Sequence, residues 1–259
     1  MSKALESAEA KIIRVIKHHD AFEDCIAKYR GNNPFEIVGD PDSTQELRIL
    51  RNPPLELSIL AGEVVYHLRS SLDHLFFELV ERNLIGPLPK NVFRTCQFPL
   101  FTDVPDGAKG SLPVDRKHIG IPDWIPNRAY TYIEGLQPYY RRDNRHHALR
   151  LLVKLSNIDK HHRLNTTVTR VDRNVTFLNP MGHAYTLLQP MLDDGAQIDR
   201  VLLDPSGESY VHMESEFVPQ IAFDEPEIGP PQTALLKEVV YDLPLVVFNI
   251  FLNFKEFLS

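Results

Sequence analysis

Residues 55–83, LELSILAGEVVYHLRSSLDHLFFELVERN, are the stretch that decides the fold. Their apolar side chains recur at steps of three and four residues, which is the period of an amphipathic α-helix with one buried stripe. Pro53 and Pro54 stand immediately before this stretch and open the helix. Tyr66 and Phe77 point away from the stripe, so we expect another helix or a second subunit to cover the helix on more than one side.

The same spacing predicts three more long helices. They cover about residues 4–30, 144–163 and 232–258, and Pro244 should start, kink or restart the last one. Residues 84–126 are rich in Pro and Gly, which indicates a long packed loop rather than a linker between domains.

Two other parts of the chain alternate apolar and polar residues, which is the period of a half-buried strand. They are residues 35–50, which form a predicted hairpin, and residues 164–223. The predicted fold class is therefore α+β. A single domain over residues 1–259 would be mainly a helical bundle with an antiparallel β-sheet inserted before its last helix.

Composition narrows the class of protein. Apolar residues make up 43% and charged residues 24% of the 259 positions, which is typical of a chain that builds its own core. The net charge of −7 argues against binding nucleic acid over the whole surface. Two distant cysteines and an N-terminus without a signal-peptide pattern predict a cytoplasmic protein. The apolar C-terminal stretch is too short to span a membrane.

Two polar clusters lie in helical context, residues 68–74 (LRSSLDH) and residues 157–163 (NIDKHHR). An ionised Asp159 on the apolar side of its helix needs a partner, because burying an unpaired carboxylate costs several kcal/mol. Arg69, His67 and His74 are the candidate partners. We therefore expect the two clusters to face each other in one polar site, which comprises Arg69, Asp73, His74, Asn157, Asp159, Lys160, His161 and His162.

The spacing of Arg69 and His74 resembles the Arg-x(4–6)-His element of the HEPN superfamily, helical proteins that include RNA-cleaving toxins and defence nucleases. This resemblance implies metal-independent endoribonuclease activity, with His74 as the acid or base and Arg69 as the clamp on the phosphate. The family usually has Asn, Asp or His after the arginine, where this chain has Ser70. Residues 142–147 (RDNRHH) form a second copy of the spacing.

The basic residues would then hold the RNA backbone. From Arg141 to Arg173 the chain has nine Lys and Arg residues against three Asp, so RNA is the predicted partner of this segment. The chain as a whole resembles uncharacterised bacterial helical proteins that pair an LRSxLDH motif with a later NxDKH motif. That second resemblance implies no activity.

Two alternatives use the same residues. The first is a non-catalytic binding or regulatory protein in which the clusters form a structural polar network, for instance an ion pair between Arg69 and Asp73. The second is a metal-binding helical bundle, with the ligands Glu63, His67, His74, Asp159 and His162. The main prediction needs no cofactor. A homodimer through apolar helix faces is expected, and a regulatory partner protein would be of unknown identity.

Overall fold

The computed structural model describes residues 3–39, 45–87, 89–90, 96–108, 112–140, 144–178, 184–192, 197–198, 212–229 and 235–258. Within these ranges the fold is α+β and mainly helical, with antiparallel sheets, which confirms the predicted fold class. The helices are α1 (Lys3–Gly31), α2 (Leu55–Asn83), α3 (Asn127–Gly135), α4 (Asn144–Asp159) and α5 (Leu243–Leu258). The strands are β1 (Phe35–Val38), β2 (Gln45–Ile49), β3 (Thr166–Leu178), β4 (Ala184–Leu192), β5 (Gln197–Ile198) and β6 (His212–Phe223).

The chain divides into two compact units, where the sequence predicts one domain. The first unit comprises residues 1–23, 58–164 and 237–259, and the second comprises residues 24–57 and 165–236. Both units are assembled from segments that are distant in sequence. The helices α1 and α2 each contribute to both units.

The first unit is a helical bundle. Its helix α1 runs antiparallel to α2, where the buried Ser71 hydroxyl donates to the carbonyl of Ala8 at 3.1 Å. The C-terminal helix α5 also lies against α1, with Lys255 Nζ 3.4 Å from Glu9 Oε1. The apolar stripe of α2 is buried as predicted. Its fully buried members are Leu57, Leu60, Ala61, Val64, Val65, Leu68, Leu72, Leu75, Phe76 and Leu79.

One buried carboxylate, Glu134 of α3, gathers donors from the end of the proline-rich loop and from the turn at Pro138–Tyr140. Glu134 Oε1 accepts hydrogen bonds from the Val114 amide at 3.0 Å, the Tyr139 hydroxyl at 3.2 Å and the Tyr140 hydroxyl at 2.6 Å. Burial, followed by the charge of Glu134, raises the pKa of Tyr139 above its ordinary value. Three donors on one ionised acceptor satisfy a carboxylate that would otherwise be expensive to bury.

The second unit contains two three-stranded antiparallel sheets, ordered β1-β2-β5 and β4-β3-β6. The predicted hairpin is present, with Phe35 paired to Ile49. Leu47 of β2 and Val171 of β3 are both fully buried in one apolar cluster. Residues 199–211 of the predicted strand region 164–223 lie outside the described residues.

Two helix boundaries differ from the prediction. Helix α4 ends at Asp159 rather than near residue 163, because the amides of His161 and His162 both bond to the Ile158 carbonyl and close a turn. The last helix is preceded by a π-helical turn over Glu238–Asp242, and α5 begins at Leu243. Pro244 therefore lies inside a continuous helical segment, directly after the π-helical turn, and the helical backbone of Leu243 shows that the proline does not end the helix. Within the described ranges, no helix combines the length and apolar character needed to cross a bilayer.

Candidate functional site

The first polar cluster lies on α2 opposite an extended segment at residues 96–100. Arg69 Nη2 donates to the carbonyl of Phe98 at 2.8 Å and lies 3.2 Å from Asp73 Oδ1. The amide of Phe98 donates to the same Asp73 oxygen at 2.9 Å. Arg69 and Asp73 therefore satisfy both backbone groups of Phe98, whose ring is fully buried. The ion pair proposed from the i, i+4 spacing is present, and it holds this segment against α2.

An open cavity of about 420 Å³ lies beside this clamp, between the first turns of α1 and the later turns of α2. Its volume is within the range of small-molecule sites. The lining residues are Lys3, Ala4, Ser7, Asp73, His74, Phe77 and Cys96. The cavity thus combines apolar walls with one ammonium, one carboxylate, one imidazole, one hydroxyl and one thiol.

The imidazole of His74 is neutral at physiological pH. Burial lowers its pKa below the ordinary value, the nearby Lys11 ammonium lowers it further, and Asp73 opposes the shift. Its Nδ1 atom is buried and has no hydrogen-bond partner among the residues that the structure describes. Adding a second proton would bury a charged ring next to a lysine, so the neutral form is favoured. A neutral imidazole can accept a proton or a hydrogen bond.

The other titratable group of the cavity is the Cys96 thiol. Burial, with a smaller contribution from the charge of Asp73, raises its pKa to about 11. The thiol is therefore protonated at neutral pH, and a protonated thiol is a poor nucleophile. Cys96 contributes a soft, weakly polar wall to the cavity.

Further along the contact between α1 and α2, three side chains of α2 face α1: Glu63, Tyr66 and His67. His18 Nδ1 lies 3.2 Å from Glu63 Oε2, and the His18 ring stacks on His67 with centroids 5.7 Å apart. Burial first, and then the cations led by Lys11, lower the pKa of His67. Lys11 Nζ also lies 5.2 Å from the ring centroid of the exposed Tyr66.

The second cluster does not join the first as the sequence analysis predicts. Asp159 meets α2 at Gly62, where its Oδ1 is 2.5 Å from the position that a side-chain Cβ would occupy. Seven residues separate Gly62 from Arg69, which corresponds to roughly 10 Å along a helix. Burial alone raises the pKa of Asp159, so none of the predicted cations compensates this carboxylate.

The remaining members of the second cluster face solvent. Asn157, Lys160, His161 and His162 are all exposed, because α4 ends at Asp159 and the chain turns outward there. None of these four lines the cavity beside His74. The site predicted from eight residues thus contains three of them, Arg69, Asp73 and His74, of which Arg69 is engaged by Phe98.

The alternative metal set is not assembled among the described residues, where no three His, Cys, Asp or Glu side chains converge on one point. Glu63 and His67 do lie together, with His18, but the imidazoles are stacked and cannot aim their nitrogens at one ion. His162 is exposed at the end of α4, and Asp159 contacts Gly62. The five predicted ligands are therefore spread over three places.

Part of the predicted basic segment falls outside the described residues. This applies to Arg141, Arg142 and Asp143, so the arginine of the second Arg-His spacing lies outside the described residues, whereas residues 144–147 begin α4. Of the later members, Lys160 and Arg163 lie on the surface after α4. Neither of these two cations lines the cavity that contains His74.

Lys3, Ser7 and Lys11 are the site residues that the sequence analysis missed. They recur at steps of four along α1, and His18 continues the same face seven residues after Lys11. This polar stripe could have been found beside the apolar stripe of α1. Cys96, by contrast, lies in a proline-rich stretch without periodicity, so no local signal predicted its place.

The chain was compared with protein-family models, with curated proteins and with solved structures, and none of the three comparisons gave a match. Its candidate site is thus defined by geometry alone: an open cavity beside His74, closed on one side by the Arg69–Asp73 clamp on Phe98.

Proposed function

We propose that this chain is a non-catalytic binding protein whose cavity beside His74 takes a small amphipathic anion. The observation that carries the proposal is the lining itself. Lys3 supplies a cation at the rim, Ala4 and Phe77 supply apolar walls, and His74 supplies a neutral imidazole. Small-molecule sites commonly combine a mostly apolar surface with a few polar groups that orient the ligand.

A binding role fits the state of the neighbouring polar groups. Arg69 and Asp73 already bond to each other and to the Phe98 backbone, so they are engaged before any ligand arrives. The raised pKa of Cys96 keeps its sulfur protonated. The polar groups that remain for a ligand are the ammonium of Lys3, the hydroxyl of Ser7 and the imidazole of His74, beside the apolar walls. A phosphate or carboxylate attached to an aromatic or short aliphatic group matches that combination.

Calorimetric titration of the full chain with phenyl phosphate tests this proposal, with benzyl alcohol as the uncharged probe of similar size. We expect saturable binding of phenyl phosphate and much weaker binding of benzyl alcohol. Lys3→Gln should weaken phenyl phosphate binding by about 5-fold or more, the effect of one partly exposed ion pair with an anion. Lys17→Gln makes the same charge change at an exposed position of α1 outside the cavity and should leave binding unchanged.

Three results would count against the binding role. Absence of saturable binding by either probe would exclude this ligand class. Equal binding of the two probes would remove the role of Lys3. If the Lys3 and Lys17 variants weaken phenyl phosphate binding equally, the effect comes from the net charge of the protein and not from a contact with Lys3. Folding of each variant is checked by circular dichroism before titration.

The second candidate function is metal-independent cleavage of RNA, and one observation favours it. His74 is a neutral imidazole near two cations of α1, Lys3 and Lys11. The exposed ring of Tyr66 lies on the same side of α2 as Lys11. A neutral imidazole can remove the proton of a ribose 2′-hydroxyl, and an exposed aromatic ring can stack on a base. Because Arg69 is engaged by Phe98, a lysine would have to meet the phosphate.

Incubation with total RNA in excess chelator separates the two functions. If the chain is a ribonuclease, the wild type should cleave RNA and His74→Gln should not. His161→Gln, which changes an exposed histidine just after α4, should cleave fully. The ribonuclease candidate also predicts RNA binding that weakens steeply with salt. Intact RNA with all three proteins would eliminate this candidate and leave the binding role.

Location and assembly belong to the same proposal. The cytoplasm is supported by Cys25 and Cys96, which are both free thiols. A homodimer is supported by apolar side chains on the surface of the helical unit. A regulatory protein partner is compatible with a ligand-binding role, in which the occupied cavity would change the affinity for that partner.

A further inference from the structure

Two helices of the first unit expose large apolar side chains that the candidate site does not use. On α1, Ile13 is 49% and Ile16 is 64% exposed. On α5, Leu245 is 62%, Phe248 is 43% and Leu252 is 44% exposed. We name these five side chains the α1–α5 surface. Single exposed apolar residues need no explanation, but five on adjoining helices form a patch.

Contacts at both ends show that the two helices lie side by side. At one end, Lys255 Nζ is 3.4 Å from Glu9 Oε1. At the other end, the rings of His19 and Tyr241 pack edge to face with centroids 4.7 Å apart. The five apolar residues lie between these two contacts on antiparallel helices. The α1–α5 surface is therefore one continuous strip rather than scattered side chains.

The area of this strip matches what a stable dimer needs. The exposed fractions of five Ile, Leu and Phe residues together correspond to roughly 500 Å² of apolar surface, near the upper end for a monomer's largest patch. A standard interface covers about 800 Å² on each partner, and about 65% of a homodimer interface is apolar. The strip would thus supply about the whole apolar part of one side of such an interface.

The charge of the strip is compatible with a copy of itself. Residues 243–254 of α5 contain no charged residue, and Lys255 at the end of the strip is paired with Glu9. The amide of Asn253 is used within α5, since it donates to the Asn249 carbonyl at 2.8 Å. A two-fold interface places one surface against the same surface of the partner, so a strip with charges of one sign would repel itself.

We propose that the α1–α5 surface is the interface of a homodimer of this chain. In such a dimer each of the five side chains is buried twice, once in each protomer. The proposal is independent of the ligand of the His74 cavity, because no residue of the strip lines that cavity.

Sedimentation velocity of the full chain over a range of concentrations tests the proposal. We expect a dimer for the wild type, and monomers for Ile16→Glu and for Leu252→Glu, whose dissociation constants should rise by about 100-fold or more because each change acts twice. Ile85→Glu is the matched control. Ile85 is a fully exposed isoleucine outside the strip, and its variant should remain dimeric.

Two results would overturn the proposal. A wild-type chain that stays monomeric at every concentration would leave the strip to a different partner. A dimer that persists in both Ile16→Glu and Leu252→Glu would place the interface elsewhere. Circular dichroism and urea unfolding identify a variant that has lost its fold. Since the two substitutions lie on different helices, either folded variant alone decides the question.

Discussion

The contact between Gly62 and Asp159 gives the sharpest prediction for the helical unit. Replacing a glycine inside a helix by alanine normally stabilises a protein, by about 1 kcal/mol. At Gly62 the new Cβ would lie 2.5 Å from Asp159 Oδ1, 3.1 Å from its Cγ and 3.3 Å from its Oδ2. The carboxylate would therefore have to move by a large part of an ångström.

The balance of the two effects fixes the expected magnitude. Overpacking of this kind costs about 1–3 kcal/mol. Gly62→Ala should therefore leave the free energy of unfolding unchanged or lower it by up to about 2 kcal/mol. Asp159→Ala removes all three atoms that the new Cβ would meet. In that background Gly62→Ala should stabilise the protein by about 1 kcal/mol, so the coupling between the two positions is about 1–3 kcal/mol.

Urea unfolding of the four proteins of this double-mutant cycle measures the coupling. Each transition is followed by circular dichroism at one pH, near neutrality. A coupling below about 0.5 kcal/mol, the level of independent sites, would show that α4 does not end against Gly62 in solution. A Gly62→Ala variant that is stabilised in the wild-type background would contradict the reasoning in the same way.

Three further predictions concern stability. Asp73→Ala should lower the free energy of unfolding by about 1–3 kcal/mol in urea, because the Phe98 amide loses its acceptor and an ion pair is lost. Glu134→Ala should cost about 3 kcal/mol in the same assay, since three donors lose one buried acceptor, and a loss below about 1 kcal/mol would contradict this role. The pKa values of His67 and His74 are lowered on folding, so stability is fully present above about pH 6.5 and falls as the pH drops below it. The free energy of unfolding, measured between pH 7.5 and 5, should fall less steeply in a variant with Gln at both positions. An unchanged slope against pH would refute the assignment to these two histidines.

The helices were predictable because their periodic stripes are long. The apolar stripe of α2 extends over its whole length and is buried, and its bounds match the predicted ones, Leu55–Asn83. The bounds of α1, Lys3–Gly31, also match the predicted residues 4–30 closely. Helix ends were less predictable where tertiary geometry decides them, as at Asp159, where the sequence continues with good helix formers but the chain turns.

Whether the two polar clusters meet could not be derived from the sequence. Helical periodicity places Gly62, Arg69 and Asp73 on one flank of α2, and the structure agrees, since all three face other parts of the bundle. Periodicity says nothing about the height at which a second helix crosses. Asp159 meets this flank at Gly62, about two turns from Arg69, and that offset separates the predicted site into two places.

The partner of Arg69 also lay beyond local sequence reasoning. Phe98 is 29 residues away in a stretch without helical or strand period, yet its backbone amide and carbonyl both bond to the cluster on α2. Backbone groups of an irregular segment must find partners, and polar side chains on a neighbouring helix commonly provide them. A motif of Arg and His on a helix can therefore reflect the support of a loop as well as catalysis.

We propose the cavity beside His74 as the working site of this chain. Titration of the histidine-labelled protein with phenyl phosphate, followed through the imidazole resonances by NMR, tests it most directly. We expect a saturable shift of the His74 resonance and no shift of the exposed His161 and His162. Saturable binding that leaves the His74 resonance unmoved, or the absence of binding, would contradict the claim.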